Sequence, residues 1–163
     1  MSTPSALPLE PTPERLRNPV LRYVLATRPA FLTITLAGCL LGFATAWHDG
    51  VAFNGWTAAA TLILALLAHA GVNVLNDYFD YKSGVDLHTV RTPFSGGSGM
   101  LPAGMMSPRE ALIYGIVAFV AAVPIGAYFL FVSGWGLLPL LVVGASFVLI
   151  YTQKLTKVGF GMA

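Results

Sequence analysis

Five polar side chains near the middle of the chain have the types and spacing to do chemistry: His69, Asn73, Asn76, Asp77 and Asp80. At about 100° per residue they all fall within an arc of about 100° on one helical face. Asp86 follows, so three of the seven acidic residues lie between positions 77 and 86. Two carboxylates at i, i+3 point the same way and repel unless something positive sits between them. A hard cation such as Mg²⁺ takes oxygen ligands, keeps several waters, and is held by one or two carboxylates together with substrate phosphates. The stripe therefore fits a metal–phosphate site. It equally fits a helix end turning polar where it leaves a membrane. His69, inside an apolar run, reads as a hydrogen-bonding partner of a neighbouring helix rather than a metal ligand.

The elements that must position this stripe are membrane helices. Of 163 residues, 56% are hydrophobic and 10% charged, where soluble domains carry roughly 25% charged residues. The fold class expected is an all-α, polytopic helical bundle in a lipid bilayer. A net charge of +2 gives no reason to expect nucleic acid as a partner. The lone Cys39 cannot form an internal disulfide and reads as a small buried hydrophobe. Residues 1–28 form a polar, proline-rich segment, in which 18–27 reads as a short helix at the interface. The membrane part is 29–163, with spans at about 29–48, 55–76, 111–132 and 135–152, each long enough to cross roughly 30 Å. Gly38 and Gly42 form a GxxxG pair that lets a neighbouring helix approach. Pro124 is expected to kink the third span, and Pro139 lies in the first turns of the fourth. Residues 77–109 read as a long polar connection. Its glycine-rich run from Ser95 to Gly99 could wrap a phosphate with backbone N–H groups or serve as a flexible loop. Ser107, Pro108 and Glu110 have the spacing of a capping box with proline at N1.

Four spans place both termini on one side. Arg15, Arg17, Arg22 and Arg28 precede the first span; Lys82, Arg91 and Arg109 lie between the second and third; Lys154 and Lys157 follow the fourth. All nine basic residues thus fall on one side, which the positive-inside rule makes cytoplasmic. The acidic stripe then faces the compartment that holds phosphorylated metabolites and Mg²⁺. The four arginines, the apolar run and Ala44-Thr45-Ala46 also carry the outline of a signal peptide. The long proline-rich leader and the further spans argue against cleavage. A bacterial or archaeal inner membrane suits a chain without an organelle transit signature.

At Asn76-Asp77-Tyr78-Phe79-Asp80, with Gly84, Asp86 and Arg91 following, the chain resembles the UbiA superfamily of intramembrane aromatic prenyltransferases. The first aspartate-rich motif of that family reads N-D-x-x-D and then a third Asp. In its 4-hydroxybenzoate branch the third Asp comes four residues after the second, where this chain has Gly84. The spacing N-D-Y-x-D-x-x-x-G-x-D, with the acid at Asp86, looks like the 1,4-dihydroxy-2-naphthoate branch of menaquinone synthesis. The run from Arg91 to Gly97, Arg28-Pro29 and Tyr151-Thr152 fit as well. The resemblance extends from about Leu25 to Gly161.

It implies an all-helical fold of about nine spans around a cavity, where two aspartate-rich motifs hold Mg²⁺ against a polyprenyl diphosphate. The diphosphate leaves and the ring carbon of an aromatic acceptor attacks the allylic cation. On this reading Asp77, Asp80 and Asp86 hold the metal, and Asn73 and Asn76 orient carboxylates or complete its shell. Arg91, Lys82 and Lys154 meet phosphate oxygens, and Arg28 meets an acceptor carboxylate. Tyr78, Phe79, Tyr114 and Tyr151 are candidates to shield the cation. After Asp86 the only acid is Glu110, so this chain has four spans and one motif. It is then expected to be the front part of a longer enzyme, a chain that works with a C-terminal half or as a homo-oligomer, or a non-catalytic subunit. An ion-coupled transporter is the rival of another class, but its acids would be expected near the bilayer midplane.

Overall fold

The computed structural model describes residues 16, 18–84 and 97–150, without the side chains of 147–150. Every regular element among them is helical: α1 (Pro19–Ala26), α2 (Pro29–His48), α3 (Gly55–Ser83), α4 (Pro108–Ser133), a 3₁₀ turn (Trp135–Leu137) and α5 (Leu138–Ile150). Helices α2, α3 and α4 are long and apolar enough to cross a membrane. The chain is an integral membrane protein of the helical class. Helix α5 has 13 residues, about 20 Å at the α-helical rise. The expected fourth span at 135–152 is thus partly seen: its start is a 3₁₀ turn, and residues 151 and 152 lie outside the described residues.

Helix α1 forms where 18–27 was expected to be helical. The Asn18 side chain accepts from the Val20 amide at 2.9 Å, and Pro19 fills the first position, where its missing N–H costs nothing. Capping at the start of α4 also follows its sequence pattern. Ser107 Oγ accepts from the Glu110 amide at 3.2 Å, and Glu110 Oε2 accepts from the Ser107 amide at 2.7 Å. Glu110, the one acid after Asp86, thus serves as a cap. Pro124 lies inside α4, and the helix continues through it to Ser133.

Two expectations need correction. The second span does not end at Asn76: α3 runs on to Ser83 and stops at Gly84, whose φ of 82° is the left-handed cap that glycine adopts without penalty. Its 29 residues extend about 44 Å, which exceeds a hydrocarbon core of about 30 Å. The aspartates therefore belong to a rigid helix rather than to the polar connection. The second correction concerns close packing. A Cβ built on Gly38 or Gly42 meets nothing within 4 Å. The close approach is between α3 and α4, where a Cβ on Gly115 would sit 2.6 Å from Leu75 Cγ and one on Gly71 3.0 Å from Phe119. Around this contact α4 presents buried Ala111, Ala118, Ala122 and Gly126, a ridge of small residues at i, i+3 and i+4 spacing that admits the neighbouring backbone.

The core sits at one end. Leu16, Ala26, Val74, Met100, Leu101, Met105, Met106 and Ala111 form one buried cluster, with Leu25, Tyr78, Tyr81 and Tyr114 packed against it. It is built from α1, the end of α3, the start of α4 and the 97–107 loop. That loop is a chain of tight turns: the Met105 and Met106 amides both donate to Met100 O, at 2.9 and 3.2 Å. Arg22 Nη1 donates to Met105 O at 2.8 Å, and Tyr23 meets the edge of Tyr114 at 5.2 Å, so α1 is clamped to this cap.

Candidate functional site

The cap holds the polar stripe of α3. Asp77 is 2% exposed and Asn73 7%, while Asn76 and Asp80 are half-buried. Asn76 Nδ2 donates to Asp80 Oδ2 at 2.9 Å, an i, i+4 bond that fixes the second carboxylate along the helix. Asp77 Oδ2 accepts from the Ser98 amide at 3.0 Å. The glycine-rich loop is thus folded back onto the first carboxylate, with Gly97 and Gly99 at φ of 73° and 78° to make the bend. The glycine-rich run left open a phosphate wrap or a flexible loop; its Ser98 N–H donates to the Asp77 carboxylate. A hydrogen bond of this kind orients a carboxylate oxygen without consuming the whole group.

The α1–α2 elbow closes over the same face. Arg28 joins the two helices with φ 57° and ψ 66°, a left-handed conformation that costs a non-glycine residue roughly 1–2 kcal/mol. Its guanidinium lies 4.2 Å from the centre of the Phe31 ring. Asn73 Nδ2 donates to the Thr27 carbonyl at 2.8 Å. One helical step outward along the stripe, His69 Nδ1 and Thr35 Oγ1 are 2.6 Å apart. His69 thus hydrogen-bonds to a neighbouring helix, as read from its surroundings.

The structure brings Asn73, Asn76, Asp77 and Asp80 to one face of α3, and the Asn73–Thr27 bond ties the elbow that carries Arg28 to that helix. It leaves Lys82 off that face. At about 3.6 residues per turn, Lys82 is on the far side of α3 from Asn73 and the aspartates, exposed, with Nζ 3.4 Å from the Tyr78 hydroxyl and 5.7 Å from its ring centre. Asp86, Arg91, Lys154 and Tyr151 lie outside the described residues. Among the described residues no group of three or more His, Cys, Asp or Glu side chains gathers as a metal cluster. Two buried oxygens of the stripe, Asn76 Oδ1 and Asp80 Oδ1, have no hydrogen-bond partner among the described residues. Buried oxygen acceptors are costly to leave unmatched, and an all-oxygen donor set suits a hard divalent cation. These residues fit a divalent cation.

The arrangement of an N-D-x-x-D stripe at the end of a membrane helix, under an arginine elbow, agrees with comparison to known proteins. The sequence profile described as the UbiA prenyltransferase family matches residues 31–161. The chain belongs to that family. Two similar relatives, from two strains of Halobacterium salinarum, are each named digeranylgeranylglyceryl phosphate synthase. Each is 36% identical over 94 residues, which cover 57% of this chain and 31% of the relative. The chain thus spans about a third of the length of these UbiA-type relatives. Their name differs from the naphthoate branch expected from the motif spacing. No solved structure matches the chain.

Proposed function

We propose that the chain supplies the first aspartate-rich motif of a membrane prenyltransferase, one that moves a prenyl group from a polyprenyl diphosphate to an acceptor in an Mg²⁺-dependent reaction. The observation that supports this reading best is the stripe itself: Asp77, Asp80 and Asn76 on one face of α3, with two buried oxygens unmatched. Asp77, Asp80 and the Asn76 carbonyl oxygen would hold the metal, joined by Asp86 from beyond the described residues. When bound, Mg²⁺ neutralises charge on the departing diphosphate. The chain's own residues do the rest. Asn76 holds the Asp80 carboxylate in place, the Ser98 amide orients Asp77, and Arg28 offers a guanidinium to an anionic substrate group on the same side. In the transfer, the allylic C–O bond breaks, diphosphate leaves, and the acceptor forms the new bond to the prenyl carbon and loses a proton. Arg91 and Lys154 remain proposed phosphate contacts. The membrane in this reading is a prokaryotic inner membrane, with the stripe and both termini on the cytoplasmic side.

For the acceptor, the spacing of Asp80, Gly84 and Asp86 supports 1,4-dihydroxy-2-naphthoate, with menaquinone synthesis as the setting. A second class is favoured by one observation, the relatives named for making digeranylgeranylglyceryl phosphate: a glyceryl phosphate lipid. Membranes containing the protein should convert labelled prenyl diphosphate and 1,4-dihydroxy-2-naphthoate to a prenylated naphthalenediol, with release of diphosphate and of the carboxyl group as CO₂, when Mg²⁺ is present and not when it is chelated. Product only with a glyceryl phosphate lipid reassigns the acceptor. No transfer to either, with an intact protein partner present, removes the enzymatic reading in favour of a non-catalytic subunit.

A further inference from the structure

The motif reading has Asn73 orient carboxylates or complete the metal shell, but its amide nitrogen is engaged elsewhere. Its amide nitrogen donates to the Thr27 carbonyl at 2.8 Å, across 46 positions of sequence. Both residues are buried. Thr27 is the C-cap of α1, so its carbonyl is one of the acceptors that a helix end leaves without an internal partner. Without Asn73 it would be buried and unmatched. The next residue is Arg28, held in the left-handed region and followed directly by Pro29 at the start of α2. A strained non-glycine conformation persists only where its surroundings over-determine it. Local bonds contribute: the Arg28 amide donates to Leu25 O at 3.0 Å, the Phe31 amide to Arg28 O at 2.8 Å, and the Thr27 hydroxyl to Val24 O at 2.7 Å. All of these lie within the elbow. Asn73 is the side chain that ties the elbow to α3, one turn from Asp77.

We infer that Asn73 is a positioning residue: by donating to the Thr27 carbonyl it locks the α1–α2 elbow and so fixes the next residue, Arg28, against α3 about one helical turn from Asp77, where its guanidinium meets an oxyanion of a substrate. The part concerning substrate rests on the proposed prenyl transfer; the lock itself does not. The oxyanion is either the diphosphate or an acidic group of the acceptor, and the two sources are separated by which KM responds. A metal ligand and a lock make opposite demands on position 73. A ligand works through oxygen, so Asn73→Asp should preserve or strengthen it. A lock works through the N–H donor, so Asn73→Asp removes the bond and sets a carboxylate against a carbonyl.

The experiment is a double-mutant cycle in the full protein in membranes: wild type, Asn73→Asp, Arg28→Ala and the pair. Hydrogen exchange of residues 25–31 is read alongside steady-state kinetics. The lock predicts faster exchange at 25–31 in Asn73→Asp. It predicts a KM raised about tenfold for one anionic substrate, an unchanged Mg²⁺ requirement, and no further KM change when Asn73→Asp is added to Arg28→Ala. A rise in the KM for prenyl diphosphate assigns Arg28 to the diphosphate; a rise for the acceptor assigns it there. Unchanged exchange overturns the lock. A shifted Mg²⁺ requirement, or an equal KM penalty with and without Arg28, overturns the positioning role. Should the wild type transfer no prenyl group, the functional reading fails while the exchange result still decides the lock. Asn73→Ala, which adds no charge, serves for exchange if the aspartate variant does not accumulate.

Discussion

The two ends of the helical bundle are built by different physics. At the carboxylate end, α1, the 97–107 loop and the ends of α3 and α4 make a cap with a buried cluster, an arginine bonded to a loop carbonyl and a carboxylate bonded to a loop amide. At the other end the three tryptophans of the chain, Trp47, Trp56 and Trp135, are each at least 72% exposed, and Phe53 and Phe131 beside them are also exposed. An apolar cavity of about 290 Å³ opens there, lined by Trp56, Ala60, Pro124, Ile125 and Tyr128. Amphipathic rings at one level suit a membrane interface, where lipid is the packing partner. Chemistry needs side chains fixed in position, which burial and directional bonds provide. Where lipid is the neighbour, apolar character suffices. The difference supports placing the proposed site at the capped end.

The comparison breaks most clearly at the carboxylates. Asp80→Ala should lower Mg²⁺-dependent transfer by about a hundredfold or more, with little change in thermal stability, because among the described residues the Asp80 side chain hydrogen-bonds only to Asn76 of its own helix. Asp77→Ala should lose transfer as fully and also loosen the loop at Ser98, seen as faster proteolysis at 97–107. Equal stability of the two variants would mean that the Asp77–Ser98 contact does not hold the loop.

The next effect is on packing. Gly115→Leu forces a side chain into Leu75 and should destabilise the α3–α4 pair by roughly 1–3 kcal/mol. Gly38→Leu, with open space around it, should fall within about 0.5 kcal/mol of wild type. Thermal unfolding in detergent reads both, and a Gly38 penalty as large as that at Gly115 would show a helix packed on α2. At the cap, Ser107→Ala removes an N-cap acceptor and should cost about 1 kcal/mol. The smallest difference in stability is expected between two variants of Arg28. Arg28→Gly suits the left-handed backbone and should leave the melting temperature at or slightly above that of Arg28→Ala, while both weaken substrate use. A lower melting temperature for the glycine variant would mean that the guanidinium on Phe31 matters more to stability than the backbone conformation.

What the sequence made legible was local. Helix α1, the Ser107–Glu110 capping box, the polar face of α3 and the membrane class follow from spacing within one or two turns. The partner of His69 followed in kind, a neighbouring helix, but not in identity. What escaped was the choice of distant partners. Nothing around Asn73 signals that its amide reaches Thr27, and nothing in the glycine-rich run signals that Ser98 serves Asp77. Gly38 and Gly42 carry the recognised small-residue spacing, yet the close approach is made by Gly71 and Gly115, which lie on different helices and form no motif. The end of α3 was misjudged because a membrane span was expected to stop where its residues turned polar. A helix needs no such stop when Asn76 and Asp80 bond along it and the first capping glycine is Gly84.

The central claim is that the Asp77–Asp80 face of α3 binds a divalent cation together with prenyl diphosphate. Its most direct test is the binding of prenyl diphosphate to the purified protein as Mg²⁺ is varied, in wild type and in Asp80→Asn. The account predicts that wild-type binding requires Mg²⁺ and that Asp80→Asn weakens it at least about tenfold with an unchanged melting temperature. Binding that ignores Mg²⁺, or that is equal in the two proteins, would contradict it.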